Sequence, residues 1–359
     1  GYGGYEVGAR SSSEPVRNWQ EEWHDEKSFG GPRFDFKYWV KRYWSDFNCS
    51  GSCMKLAVIR TGPYKGTFTD NPDYELEAYL GPNLGIFDPG ECIYLSALID
   101  YLGFSGINGP NTLAFAAELY QRGILTKDDL GFELKWGDVE AFEALARKIV
   151  AREGIGDVLA EGTYRAALKI SEMKGVDVTK YAVHVKGMEI GAHGTRSGQD
   201  MRPAEYACSP QCGDHTSGVY DAYEDMGMVF LDSAVVCSFV SDDLLWDFYR
   251  AITGWDTTEE EWNRILGHRI IHIQRAALLL GGPDLVWDPL VHDDNPPRFY
   301  EPLPSGPFKD KTTDKKTVEE MKSRYYDAIG WDKRGIPRTE VLGKLGLEDV
   351  DRALDKLRK

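Results

Sequence analysis

From about Phe36 onward, apolar residues recur mostly at the three-to-four-residue spacing that gives a helix one buried face. The Ala-rich stretch 112–122 follows Asn111, a ready N-cap, and stops at Gly123, which suits a left-handed helix end. Residues 138–153 place Val139, Phe142, Leu145 and Ile149 on one face, and Gly154 ends the run. The stretches 158–170 and 260–280 carry the same period, and Thr317 with Glu320 forms a capping-box pattern opening a helix through Asp327. Extended signals are few, the best being residues 55–60 and 182–185. The first 35 residues are polar and rich in Gly and Ser, and predict loop with short extended pieces. No period repeats along the chain, and Pro-rich loop chemistry occupies the stretch from Pro283 to Pro307. A composition shift at residues 172–179 marks a boundary. The pattern predicts a mainly α protein: a polar segment 1–35, then helical domains over 36–172 and 173–359, with a few short strands.

Composition narrows the function classes. With 42% hydrophobic residues in 359, the chain has ample material for packed cores. Its 42 Lys and Arg against 58 Asp and Glu leave a net charge of −16. That balance argues against a nucleic-acid or anionic-membrane partner, which needs clustered cations. No apolar run approaches the roughly 18 residues that span a bilayer; the longest, 276–280 and 235–240, are core-sized. The chain opens without a basic, apolar leader and without Met, so a cytoplasmic protein, itself a piece of something longer, is the expectation.

Six cysteines are too sparse for a disulfide scaffold, which points to a cytosolic or anaerobic setting with thiols on metal or in the core. Cys49 and Cys53 form one C-x3-C and Cys208 and Cys212 another, while Cys92 and Cys237 stand alone. Thiolates three to four residues apart around Ser50, Gly51 and Ser52 can wrap an iron–sulfur cluster, since small residues let backbone N–H groups turn towards sulfur. Spacing alone equally suits two core cysteines one helical turn apart.

Several segments, taken together and in order, decide between these. Cys49-x3-Cys53 matches the last two cysteines of a C-x2-C-x3-C motif. Pro72-Asp-Tyr-Glu75 resembles P-E-Y-E, and Asp100-Tyr-Leu-Gly103-Phe resembles D-x-x-G-L. Lys186-Gly-Met-Glu and His193-Gly-Thr-Arg196 resemble K-G-x-E and H-D-P-R. Asp232-Ser-Ala-Val-Val-Cys237 matches a second such Asp motif with a distant Cys, and Tyr325-Tyr with Gly330-Trp-Asp-x3-Gly-Ile-Pro337 completes the series. Over nearly its whole length the chain resembles the middle and C-terminal domains of the aldehyde ferredoxin oxidoreductase family, tungsten–pterin enzymes of anaerobes.

The resemblance implies a [4Fe-4S] cluster on Cys49, Cys53 and Cys237. The family's first cluster cysteine falls on Asp46, a harder ligand than thiolate; Cys92, Cys208, Cys212 or a three-iron cluster are the alternatives. It further implies a tungsten (or molybdenum) bis-pyranopterin shared with a missing N-terminal domain, with Asp100, Gly103, Asp232 and Arg196 contacting it. A carboxylate accepts the paired N–H donors of a pterin edge; the bland alternative is that Asp100 and Asp232 cap turns. Ser105 and Val235 depart from the family's Asp and Gly. His193 corresponds to the family's active-site His and Asp73 to its acidic partner, with Glu75 as fallback; Asp for Glu at position 73 shortens the acid by roughly 1.5 Å. His215 is a second candidate, and His268 with His272 reads as structural. The implied reaction is oxidation of an aldehyde, with electrons leaving through the cluster to ferredoxin or another subunit, and a homodimer is in keeping with it. Two alternatives remain: a tungsten subunit of the class II benzoyl-CoA reductase type acting on an acyl-CoA, and a cofactor-free helical scaffold.

Overall fold

The computed structural model describes residues 11–26, 29, 37–45, 47, 49, 51, 53–216, 224–240, 244–281 and 287–359. They divide into two compact units, one drawn from Gly1–Asn48, Ser52–Pro203 and Pro296–Asp314, the other from Cys49–Gly51, Ala204–Asn295 and Lys315–Lys359. The division thus falls near residue 203, and the stretch 172–179 lies inside the first unit. There Gly175 ends a helix with φ +65°, and the N–H of buried Val178 donates to Ser171 Oγ.

The first unit begins with an antiparallel sheet in the order β1 (Trp39–Trp44), β2 (Met54–Val58), β3 (Phe68–Asp70), with Leu56 opposite Asp70 and Val58 opposite Phe68. Helical periodicity was expected to dominate from about Phe36, yet residues 39–44 form a strand, and Trp39, Val40, Tyr43 and Trp44 are the aromatic and β-branched types that suit one. The main helices that follow are α1 (Tyr74–Leu80), α2 (Pro89–Leu102), α3 (Asn108–Gln121), α4 (Val139–Ala151), α5 (Ile155–Leu159) and α6 (Thr163–Lys174), with a single helical turn, Lys127–Leu130, between α3 and α4. Asp88 caps α2, its side chain accepting from the N–H of Gly90 and Glu91, with Pro89 at the first position. Asp138 does the same for α4. Asn111, expected to be the cap of α3, sits one turn inside it and donates to Ile107 O. The single helix expected over 158–170 is broken at Gly162 (φ +83°), and the freed N–H of Thr163 donates to the buried carboxylate of Glu189 at 2.6 Å. Glu189 belongs to a short hairpin, β4 (His184–Val185) with β5 (Met188–Glu189). Leu80, Leu84, Ile93, Phe115, Phe142 and Leu145 are among the core residues of this unit.

The described part of the polar N-terminal stretch, residues 11–26, is largely irregular, yet much of it is interior. Trp19 and Glu14 are fully buried, and Arg17, Asn18 and Trp19 turn with positive φ. Its polarity is matched from afar: Asn18 Nδ2 donates to Glu118 Oε2 at 2.6 Å, and Arg298 grips both oxygens of Glu118 at 2.8 Å. That bidentate pair explains why the Pro-rich stretch 296–314 belongs to the first unit.

The second unit contains α7 (Glu224–Ala234), α8 (Leu245–Thr253), α9 (Gly267–Leu280), α10 (Lys315–Ile329), α11 (Thr339–Lys344) and α12 (Glu348–Arg358). A helical turn at Glu259–Glu261 and a π-helical stretch, Trp262–Leu266, lead into α9. α10 starts at Lys315, so Thr317 lies within the helix and does not cap it. At the end of α7, Val235 has φ +57° and donates its N–H to Asp232 O, while Val236 donates to Leu231 O. A β-branched residue is strained there, and its side chain, 91% exposed, gains no packing in return. Val235→Gly is therefore expected to stabilise the second unit by about 1 kcal/mol, the αL strain net of glycine's chain entropy. A raised urea midpoint would show it, and a lowered one would contradict the strain.

Candidate active site around His193

In the first unit the start of α1 and the segment 190–200 are tied together by three hydrogen bonds. Tyr79 donates to Ile190 O, Tyr74 donates to Ala192 O at 2.6 Å, and Glu75 Oε2 accepts from Ala192 N–H at 2.7 Å. Burial pushes both tyrosine hydroxyls well above their ordinary pKa, so they remain donors. His193 follows directly on Ala192. Its Nε2 stands 3.1 Å from Glu75 Oε1 and its Nδ1 2.8 Å from Asp200 Oδ2, and the Tyr74 ring lies against the imidazole at 4.9 Å between centroids. Burial alone would lower the pKa of His193; the carboxylates of Asp200 and Glu75 outweigh it and push the value up to about 9. At neutral pH the ring is an imidazolium between two carboxylates, open to solvent on about a quarter of its side chain. Such a group can store a proton and release it when its surroundings change.

Of the two acids expected beside His193, Glu75 is in place. Asp73 is the N-cap of α1, accepting from Leu76 N–H, and burial raises its pKa. Asp200 had no signal in the sequence: it lies seven residues past the histidine in a Gly- and Ser-containing loop whose path back to the ring no period encodes. Arg196 is buried, with Nε on Glu22 Oε1 at 2.7 Å and a second nitrogen on Trp19 O at 2.8 Å. It organises the loop around His193. Gly194 is required by the same pair, because a Cβ there would lie 2.4 Å from Glu22 Oε2.

The pterin candidates are carboxylates at helix ends. Asp100 is exposed in the last turn of α2, where Gly103 (φ +75°) closes the helix. Asp232 is exposed on α7 and accepts from Gln211 Nε2 at 3.2 Å. Both can take up N–H donors of a pterin edge. Among the cysteines, Cys49 and Cys53 are half-buried and Cys237 is exposed, and Gly51 N–H donates to Cys49 Sγ at 3.4 Å. Cys92 and Cys208 are buried, and burial raises the Cys92 thiol well above its ordinary range, which suits a core residue. Cys212 and His215 are half-buried in the second unit. Asp46 lies outside the described residues. On α9, His272 holds His268 O through Nδ1 at 2.7 Å, and burial pushes its pKa down to about 4.

Residues 3–347 match the family model for aldehyde ferredoxin oxidoreductase, domains 2 and 3. The chain is 54% identical over its full length to the aliphatic sulfonate oxidoreductase, WOR-like subunit, of Pyrococcus furiosus, of which it covers 59%. It is 33% identical to the tungsten-containing aldehyde ferredoxin oxidoreductase of Pyrococcus abyssi, with 93% of this chain and 58% of the relative aligned. Among solved structures, the BamBC active-site complex of benzoyl coenzyme A reductase, bound to 1,5-dienoyl-CoA, superposes with a TM-score of 0.72 over 93% of this chain and 57% of that one, at 20% identity. The chain therefore spans about half to three fifths of the length of the curated relatives it matches. The family model covers nearly the whole chain, and the chain belongs to the aldehyde ferredoxin oxidoreductase family.

Proposed function

We propose that the chain is the part of a tungsten–pterin oxidoreductase that supplies proton handling and cluster ligands. The observation that carries this is His193 held between Glu75, in the first turn of α1, and Asp200 of its own loop. When bound, the tungsten group supplies the redox chemistry and an iron–sulfur cluster passes electrons singly to ferredoxin or another acceptor subunit. Asp100 and Asp232 would accept from the pterin, and Cys49, Cys53 and Cys237 would ligate the cluster, with Asp46 as a candidate fourth ligand. His193 and Glu75 hold one proton between Nε2 and Oε1, and Asp200 fixes the tautomer by holding Nδ1–H.

The substrate is a small aliphatic compound. Membership of the family supports an aldehyde, and the 54% identity to an aliphatic sulfonate oxidoreductase subunit supports a sulfonate-bearing one. The benzoyl-CoA reductase resemblance, at 20% identity, supports the fold and not an acyl-CoA substrate. Reduction of a viologen dye by protein isolated anaerobically as it occurs in the cell tests the reading. Turnover with aldehydes or aliphatic sulfonates supports it, and turnover with an acyl-CoA alone refutes it. Iron analysis tests the ligands separately. Cys49→Ser and Cys237→Ser are each expected to remove the broad absorbance near about 400 nm typical of such clusters. Unchanged iron in both variants would overturn the cluster assignment, and a colourless, iron-free parent would leave only a helical scaffold.

A further inference from the structure

The second unit holds a pocket of about 330 Å³ that no role above uses. Its walls are Phe230 from α7, Tyr249 from α8, Trp255 from the loop after it, Trp262 from the π-helical stretch, and Arg269 and Ile273 from α9. The aromatic rings form one connected box: Phe230 meets Trp262 at 5.1 Å and Tyr249 at 5.6 Å between centroids, and Tyr249 meets Trp255 at 6.1 Å. Trp262 is fixed by its indole N–H, which donates to Met226 O at 3.0 Å. π-Helical turns cost backbone regularity and recur at functional sites.

Two polar groups line this apolar box. The Tyr249 hydroxyl is buried with no hydrogen-bond partner among the described residues, a costly arrangement unless something else supplies one. Arg269 donates to Leu345 O and pairs with no carboxylate among the described residues. An aromatic box with one cation that no described carboxylate neutralises and one idle hydroxyl is complementary to a ligand with a hydrocarbon body and a single anionic head. The volume lies at the small end of ligand pockets, ~300 to ~1,000 Å³.

We propose that this pocket binds a small organic monoanion, an aliphatic or aromatic carboxylate or sulfonate. The hydrocarbon part lies among Phe230, Trp255 and Trp262, and the anionic head is received by Arg269 and the Tyr249 hydroxyl. The proposal is independent of the His193 chemistry and needs no cofactor.

Calorimetric titration of the full chain with hexanoate, hexane-1-sulfonate and benzoate, against hexan-1-ol and benzyl alcohol, tests it and separates carboxylate from sulfonate. At least one anion is expected to saturate with a Kd below about 1 mM, and its matching alcohol to bind at least about tenfold more weakly. Arg269→Gln should weaken that anion about tenfold or more, Arg269→Lys should recover part of the loss, and Tyr249→Phe should weaken it about threefold to tenfold. If Arg269→Gln fails to fold for want of its contact to Leu345, Tyr249→Phe and Trp255→Ala carry the test. Alcohols binding as tightly as the anions, no loss in the variants that fold, or no saturable binding of any anion would each overturn the proposal.

Discussion

Asp293→Ala is expected to destabilise the second unit by about 3–5 kcal/mol, the cost of leaving a buried charge unpaired. Arg275 is fully buried on α9, with one nitrogen 3.0 Å from Asp293 Oδ1, another 2.5 Å from Oδ2, and Nε donating to Gly335 O at 2.9 Å. Its guanidinium lies 4.4 Å from the Trp331 ring centroid, and Tyr326 also donates to Asp293 Oδ2. Removing the carboxylate strands a buried cation and a hydroxyl together. Replacing both partners by apolar residues, as in Arg275→Met with Asp293→Leu, should cost much less than the two single changes added, because the desolvation penalty disappears with the pair. Urea unfolding followed by tryptophan fluorescence, with the two units' transitions fitted separately, measures both. A loss below about 1 kcal/mol for Asp293→Ala would show that the carboxylate is not what neutralises Arg275.

The same cluster shows what the sequence disclosed and what it withheld. The C-terminal signature from Tyr325 to Pro337 was legible as a pattern, and its reason lies in Arg275. Tyr326 and Trp331 surround the guanidinium, and Gly335, with φ +70°, is where an added Cβ would meet an Arg275 nitrogen at 2.4 Å. Helix boundaries with strong local rules were readable: Asp138 caps α4 as expected, and Gly123 follows α3, whereas α4 ends not at Gly154 but two residues earlier on Arg152, which takes the left-handed conformation (φ +53°) and leaves Gly154 to open α5. Elements decided from a distance were not. The break at Gly162 exists because Glu189, 26 residues on, takes up the freed N–H of Thr163. The burial of the polar N-terminal stretch depends on Arg298, which lies 280 residues beyond Asn18. The site divides in the same way: Glu75 and His193 were legible because each sits in a recognisable segment, whereas Asp200 reaches the ring only through the folded loop. Asp73 was the favoured acid because it occupies the family's position; capping α1 takes its side chain instead.

The second large effect concerns the charge on His193. Its folded pKa of about 9 stands above the ordinary 6.5. Burial lowers it, and Asp200 and Glu75 together more than compensate. The sign follows from linkage: a raised histidine pKa contributes stability that is complete below about pH 6.5 and is lost as pH rises through about 9. Asp200→Asn and Glu75→Gln should each bring the pKa down, and the double variant should carry it below 6.5, where only the burial penalty remains. Histidine Cε1 shifts in an NMR titration read this directly, without any cofactor. If the imidazolium is the proton store proposed above, turnover should hold to about pH 9 and fall beyond it, with the alkaline limb moving to lower pH in Asp200→Asn. Glu75→Gln removes the group that exchanges the Nε2 proton, so its kcat should fall by a factor on the order of 10² to 10⁴ at every pH. Asp200→Asn, which acts through the ring, should lose far less below the new pKa than above it. That contrast separates a proton-transfer partner from a positioning residue. A His193 pKa that stays near 9 in both single variants would mean that neither carboxylate holds the charge, and the proton-storage role of this site would fall with it.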